Sequence, residues 1–237
     1  MSDYTLTVNM STDTVQQLKA NGYALHAFFA VQAPPAGLPV LVYRNPNFLP
    51  QTAIVFSPDA LNVFLSATPL QDKTRLQNAQ LQPIALGQLC TIDSSGVLDP
   101  PADGLPGAVT VYNASKTTYT TGLAVSVNGN PANVVALSVS AQLAQLAAPY
   151  SRAVVMLSNL PLSPGLMLAQ AGDACYSVDF GASVSRQVTF DVNAGWSSTG
   201  AFASLYPPPV DLTEVLILQP PRYLLKSLAA FVAMYAH

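Results

Sequence analysis

The sequence predicts a mainly β protein of two tandem antiparallel sandwich-like halves, with a short N-terminal helix and an amphipathic C-terminal helix. Three observations lead there. Short runs rich in Val, Ile, Thr, Phe and Tyr recur along the chain between Asn, Gly and Pro residues, the pattern of strands joined by turns. They follow one another without the regularly alternating helices that a parallel α/β fold requires. A Pro/Gly-rich break, Asp99-Pro100-Pro101-Ala102-Asp103-Gly104-Leu105-Pro106-Gly107, divides them at mid-chain.

In order, the half assigned to residues 1–99 offers strands at 4–10, 23–32, 39–43, 52–56, 61–66 and 84–92. Between the first two, Ser11 or Thr12 can cap a helix through Lys19 or Ala20, with Asp13 in its first turn and Gly22 near its end. Val15 and Leu18 lie about one turn apart, which lays that helix across a sheet end. Residues 100–107 form the linker. The half assigned to 108–219 offers strands at 108–112, 117–128, 133–140, 153–157, 175–180, 187–192 and 212–218. The closing segment, 220–237, carries a helix from Arg222 to Tyr235 with Leu224, Leu225, Leu228, Phe231, Val232 and Tyr235 on one face. Its other face is mostly alanine, without the Lys and Arg of a membrane-surface helix. The apolar face is therefore expected against the protein's own sheet or a second subunit.

The two halves share sequence. Val63-Phe64-Leu65-Ser66-Ala67-Thr68-Pro69-Leu70 matches Val155-Met156-Leu157-Ser158-Asn159-Leu160-Pro161-Leu162 at an offset of 92. Asn9-x-Ser11 matches Asn113-x-Ser115 at an offset of 104, and 12–22 is the extra segment that accounts for the difference. Gln88 to Asp93 and Gln187 to Asp191 supply a weaker third match. The order and spacing of the three predict an internal duplication, with Leu65 and Leu157 at equivalent buried positions.

Composition narrows the functions. Charged residues are 9% of the chain: four Lys, five Arg, eleven Asp and the single glutamate Glu214, a net charge of −3. A surface so poorly charged repels its own copies weakly, which favours self-association or a protein partner. Scattered cations and a negative balance exclude nucleic acid as a partner. The first residues show no secretory leader, and no window gives the roughly 18 continuous apolar residues of a membrane helix. A cytoplasmic location, or export by a non-classical route, is expected. Cys90 and Cys175 are expected as small buried hydrophobes.

Chemistry-bearing residues are few. His26 and His237 are the only histidines. No nucleophile-elbow sequence accompanies His26, and no ligand spacing links it to the cysteines. The sequence calls for no metal, no cofactor and no catalytic residue, and general acid-base chemistry has little to draw on. The single tryptophan, Trp196, follows a turn containing Asp191 and Asn193. An aromatic platform beside Asp and Asn acceptors suits the apolar face and hydroxyl rim of a sugar, so these three form a candidate ligand site. The plainer use is a tryptophan that plugs the sandwich end and an aspartate that orders the turn.

Between Lys116 and Arg152 no charge occurs. Tyr119, Leu123, Val125 and Val127 alternate with small polar residues, and Val135, Leu137 and Val139 do so on the return strand. This is a hairpin over a sandwich core, or one that could cross a bilayer in a pore. Three functions follow: a non-enzymatic binding or assembly protein, with carbohydrate or protein as ligand; a pore-forming, cytolytic type of protein acting at a membrane surface; and an enzyme acting by shape on a hydrophobic small molecule.

Overall fold

The computed structural model describes residues 2–181 and 183–235, and side chains as far as residue 233. His237 lies outside the described residues. Strands make up 50% and helices 11% of the structure, and two large sheets lie face to face in a sandwich-like arrangement. The expected mainly β class therefore holds.

The strand pairing crosses the 100–107 segment. Each nine-stranded sheet takes strands from both sides of it. In the first sheet, Tyr4–Asn9 and Gln51–Ser66 stand beside Tyr119–Val127 and Ser185–Asp191. In the second, Ala24–Gln32 and Gln88–Ile92 stand beside Val109–Asn113 and Ala144–Ser158. Residues 1–99 and 108–219 are thus interleaved around a shared core, and 100–107 is a connection in which Ala102–Asp103 pairs with Gln88–Ile92. The proline-rich run interrupts a ladder without separating two cores. Each stretch supplies only one flank of its own longest strand, and the other flank must come from elsewhere in the chain.

The two stretches nevertheless repeat one pairing scheme. Gln51–Ser66 begins against Tyr4–Asn9 and ends against Tyr119–Val127 and Gln80–Ile84. Ala144–Ser158 begins against Val109–Asn113 and ends against Ala24–Gln32 and Cys175–Asp179. Tyr4–Asn9 pairs in parallel with Ser185–Asp191, and Val109–Asn113 pairs in parallel with Gln88–Ile92. Both long strands bulge at a proline-containing stretch, between Ser57 and Asn62 and between Pro149 and Ala153. Leu65 and Leu157 are buried at corresponding positions. Ser66 and Ser158 end the two strands, each accepting an N–H two residues on, from Thr68 at 3.0 Å and Leu160 at 3.2 Å.

Inward-facing side chains of the two sheets meet in one core that includes Leu6, Ile54, Phe56, Leu65 and Leu123 from one side and Leu25, Phe29, Val111, Val155 and Leu157 from the other. Helix Thr12–Ala20 closes one end: Ser11 accepts from Thr14 N at 3.0 Å, and Val15 and Leu18 reach the core. The outer face of the second sheet is itself covered. Segments around Leu168, Ala171, Leu212 and Leu216 lie over Phe28, Ala30, Val154 and Met156. Helix Arg222–Tyr235 docks on the same protein's strands, with Leu224 against Ala108, Leu146 and Ala148, and Phe231 against Leu89, Tyr112 and Ala144. Leu225, assigned to the buried face, is 37% exposed because the docked stripe centres on 224, 228 and 231.

Candidate binding cleft at Trp196

Asp191 builds a turn. Its Oδ1 accepts from Asn193 N at 2.8 Å and Ala194 N at 3.1 Å, and Oδ2 accepts from Thr14 Oγ1 at 3.4 Å, tying the turn to the N-terminal helix. These donors, the Asn193 N–H first, hold the carboxyl below the usual aspartate range. Asn193 contributes its backbone to that turn and is exposed. The strand that follows, Gly195–Ser197, delivers Trp196 to the sandwich end, where it is 8% exposed. Its ring stacks on Tyr176 with centroids 5.6 Å apart and 9° between planes, and meets Phe190 at 5.0 Å and 64°. Trp196 is therefore a plug whose stacked face is committed to Tyr176, and Asp191 and Asn193 position it.

The remaining edge of Trp196 lines a cleft of about 450 Å³. Tyr23 and Phe190 complete an aromatic wall. Facing them are the amides of Gln17, Asn21 and Asn159 and the carboxylate of Asp173. Asn21 donates one N–H to Gln17 O at 2.8 Å, closing the helix, and keeps its amide oxygen free of that bond. Among the described residues, Asp173 has no ion-pair partner within 4.0 Å. The cleft combines flat apolar edges with several donors and acceptors, the composition of a site for a small polar ligand with an apolar face.

The repeated pairing explains why this space is open. By register, Tyr119 corresponds to Tyr23, Gln80 to Ala174 and Val97 to Trp196. At the first corner Gln80 fills the space: Oε1 accepts from Leu98 N at 2.7 Å and Nε2 donates to Gly96 O at 3.1 Å. Tyr119 packs so tightly over Gly96 that a Cβ there would collide with its hydroxyl. At the second corner Ala174 reaches nothing comparable, and a Cβ on the corresponding Gly195 would meet open space. The helix at 12–20, extra to the first stretch, adds the third wall.

The other sequence candidates are distributed as follows. Leu123, Val125, Val127, Val135, Leu137 and Val139 are all buried, and Tyr119 packs against them. Tyr119–Val127 lies between Gln51–Ser66 and Val135–Val139, so in this fold the hairpin is a central part of a sheet with both faces covered. Cys90 and Cys175 are unbonded and buried, and burial pushes their thiols up to about 11 and about 12. Asn113 is buried and donates to Thr117 O and Val139 O, a core role. Among the described residues, no group of three His, Cys, Asp or Glu is gathered as for a metal, and no helix is long and apolar enough to cross a membrane.

His26 stands on a strand between Leu25 and Ala27 and is fully buried. It alternates with Leu25 and Ala27 as the pattern requires, but the outer face it occupies is sealed from water. Among the described residues neither ring nitrogen has a hydrogen-bond partner, and the Ala24 and Leu162 backbone is the polar backbone that acts on it. Burial, then the Arg44 charge, lowers its pKa to about 4. By register its counterpart is Gly122, where a Cβ would collide with the Val135 carbonyl oxygen.

Sequence reasoning found Trp196 but missed Asn21, Asn159, Asp173 and Ala174, which reach the cleft from separate segments. The signal within reach was the alanine standing where the first stretch has Gln80. Compared with protein-family models, curated proteins and solved structures, the chain matches none.

Proposed function

We propose that this is a non-enzymatic binding protein whose cleft at Trp196 takes a small neutral saccharide or similar polyol. The observation that carries the reading is the wall of Tyr23, Phe190 and Trp196 facing the amides of Gln17, Asn21 and Asn159. Apolar sugar faces pack against aromatic side chains, and ring hydroxyls exchange hydrogen bonds with amides and a carboxylate. A binding role rather than a catalytic one is supported by the lining, which holds Asp173 as its one carboxylate and no histidine or lysine.

Trp196 is the chain's only tryptophan, so its emission reports on the cleft directly. Titration with a panel of neutral mono- and oligosaccharides is expected to give a saturable change with at least one of them. Ala174→Gln, which recreates the filled corner, should abolish that change while moving stability by less than about 1 kcal/mol, as for a partly exposed site. No response across the panel, or unaltered affinity in Ala174→Gln, would sink the reading.

A further inference from the structure

A second cleft lies at the tip of the uncharged hairpin, and its electrostatics differ from those of the first. It encloses about 510 Å³ between the 41–44 segment, the 75–78 segment and the turn at 128–133. Arg44 and Arg75 both line it, and no aspartate or glutamate does. Two of the other three arginines are engaged, while Arg222, on the C-terminal helix, lies far from any second arginine in the sequence. Arg152 forks onto Asp179 at 3.1 and 3.0 Å, and Arg186 donates to the carbonyls of Asp179 and Phe180. Among the described residues, Arg44 and Arg75 have no ion-pair or side-chain hydrogen-bond partner. In a chain with nine cations and a net charge of −3, two unpaired guanidinium groups thus share one cavity.

The rest of the lining adds donors on a fixed frame. Asn78 and Asn133 bond to each other reciprocally at 3.1 and 2.8 Å, which locks the 75–78 segment to the hairpin. Asn128 accepts from Val55 N at 2.8 Å through its side chain, which fixes the tip on the sheet. The Tyr43 hydroxyl accepts from Asn45 at 3.1 Å, so its own proton remains free to donate. Burial raises the pKa of that phenol, keeping it a donor. Leu41, Leu76 and Pro164 supply apolar surface beside these groups.

We propose that this cleft binds a small organic oxyanion, a carboxylate or a sulfate or phosphate ester, through Arg44 and Arg75. Guanidinium groups match planar carboxylates and tetrahedral oxyanions with paired N–H donors, and a cavity lined by one sign of charge concentrates the opposite ion. The apolar walls favour a ligand with a carbon body over a bare inorganic ion.

The test is calorimetry on the intact chain at low ionic strength with four probes: citrate, glucuronic acid, inorganic sulfate and inorganic phosphate. At least one organic carboxylate is expected to bind saturably and more tightly than the inorganic ions, and the binding should weaken as salt is raised. Arg44→Ala and Arg75→Ala should each weaken it about tenfold or more. Arg222→Ala, at the start of the distant C-terminal helix, should leave it unchanged. Amide NMR shifts from the bound probe should fall on 43–45, 75–78 and 128–133, a readout independent of whether a variant loses stability. The proposal is overturned if none of the four binds saturably, if the inorganic ions bind as well as the carboxylates, if Arg222→Ala weakens binding as much as the cleft variants, or if the shifts fall elsewhere.

Discussion

The far ends of the two long strands carry the same backbone scheme and opposite contents. Beyond Leu65 and Ser66 the corner is filled by Gln80, Tyr119 and the Gly96 turn; beyond Leu157 and Ser158 the corresponding positions leave a cleft edged by Trp196. Further along the same pair of strands, Phe64 stands over a glycine at 122 that tolerates no side chain, while Met156 stands beside a buried histidine at 26. Hydrogen-bonded register is thus the same where side chains differ. The difference teaches that one backbone scheme leaves a strand-end corner filled or open according to the residue beside it and the segment laid across it, with no change in strand order.

The comparison can be pressed hardest at its shared element. Leu65 and Leu157 are 2% and 5% exposed in one core, so Leu65→Ala and Leu157→Ala should each cost about 2–5 kcal/mol and by similar amounts. Chemical denaturation measures both. A cost at one position and none at the other would break the equivalence.

The next effect belongs to one copy alone. His26 titrates near 4 in the folded protein and near 6.5 when unfolded, so below pH 6.5 the unfolded chain takes up a proton that the folded one refuses. Stability is whole above pH 6.5 and is lost as pH falls toward 4, by about 3 kcal/mol over that window. Denaturation midpoints across pH 4–7 should follow that slope, and His26→Leu should flatten it. A wild-type slope that survives the substitution would place the proton elsewhere.

The smallest effect is at the filled corner. Gln80→Ala removes the two bonds to Leu98 N and Gly96 O and should cost about 1–3 kcal/mol. The variant should also become more open to solvent there, seen as faster hydrogen exchange of the Leu98 amide. Unchanged stability and exchange would mean that Gln80 does not hold the corner shut.

The faces of the strands were legible in the sequence and their neighbours were not. Alternation in Tyr119–Val127 and Val135–Val139 correctly separates core-facing from outer residues, because strand geometry has a period of two. That pattern carries no information on which strand lies alongside, so the interleaving across 100–107 had no local signature. The shared V-[FM]-L-S segment did, since it marks the ends of both long strands. At the site, Trp196 announced itself by being the chain's only tryptophan, whereas the openness beside it depends on Ala174, visible only against its counterpart Gln80. Arg44 and Arg75 gave no signal, because they are 31 positions apart and meet only through the fold.

The parallel pairing of Tyr4–Asn9 with Ser185–Asp191 governs the order in which the molecule can be made. Thr5 is made long before Ser185, and one side of its strand stays unpaired until Ser185 has been synthesised. Contacts so distant along the chain are slow to form, and an unpaired edge meanwhile invites pairing with other chains. The first sheet is completed only after residues 185–197 have been made, so a polypeptide released before residue 185 holds strands whose partners do not exist.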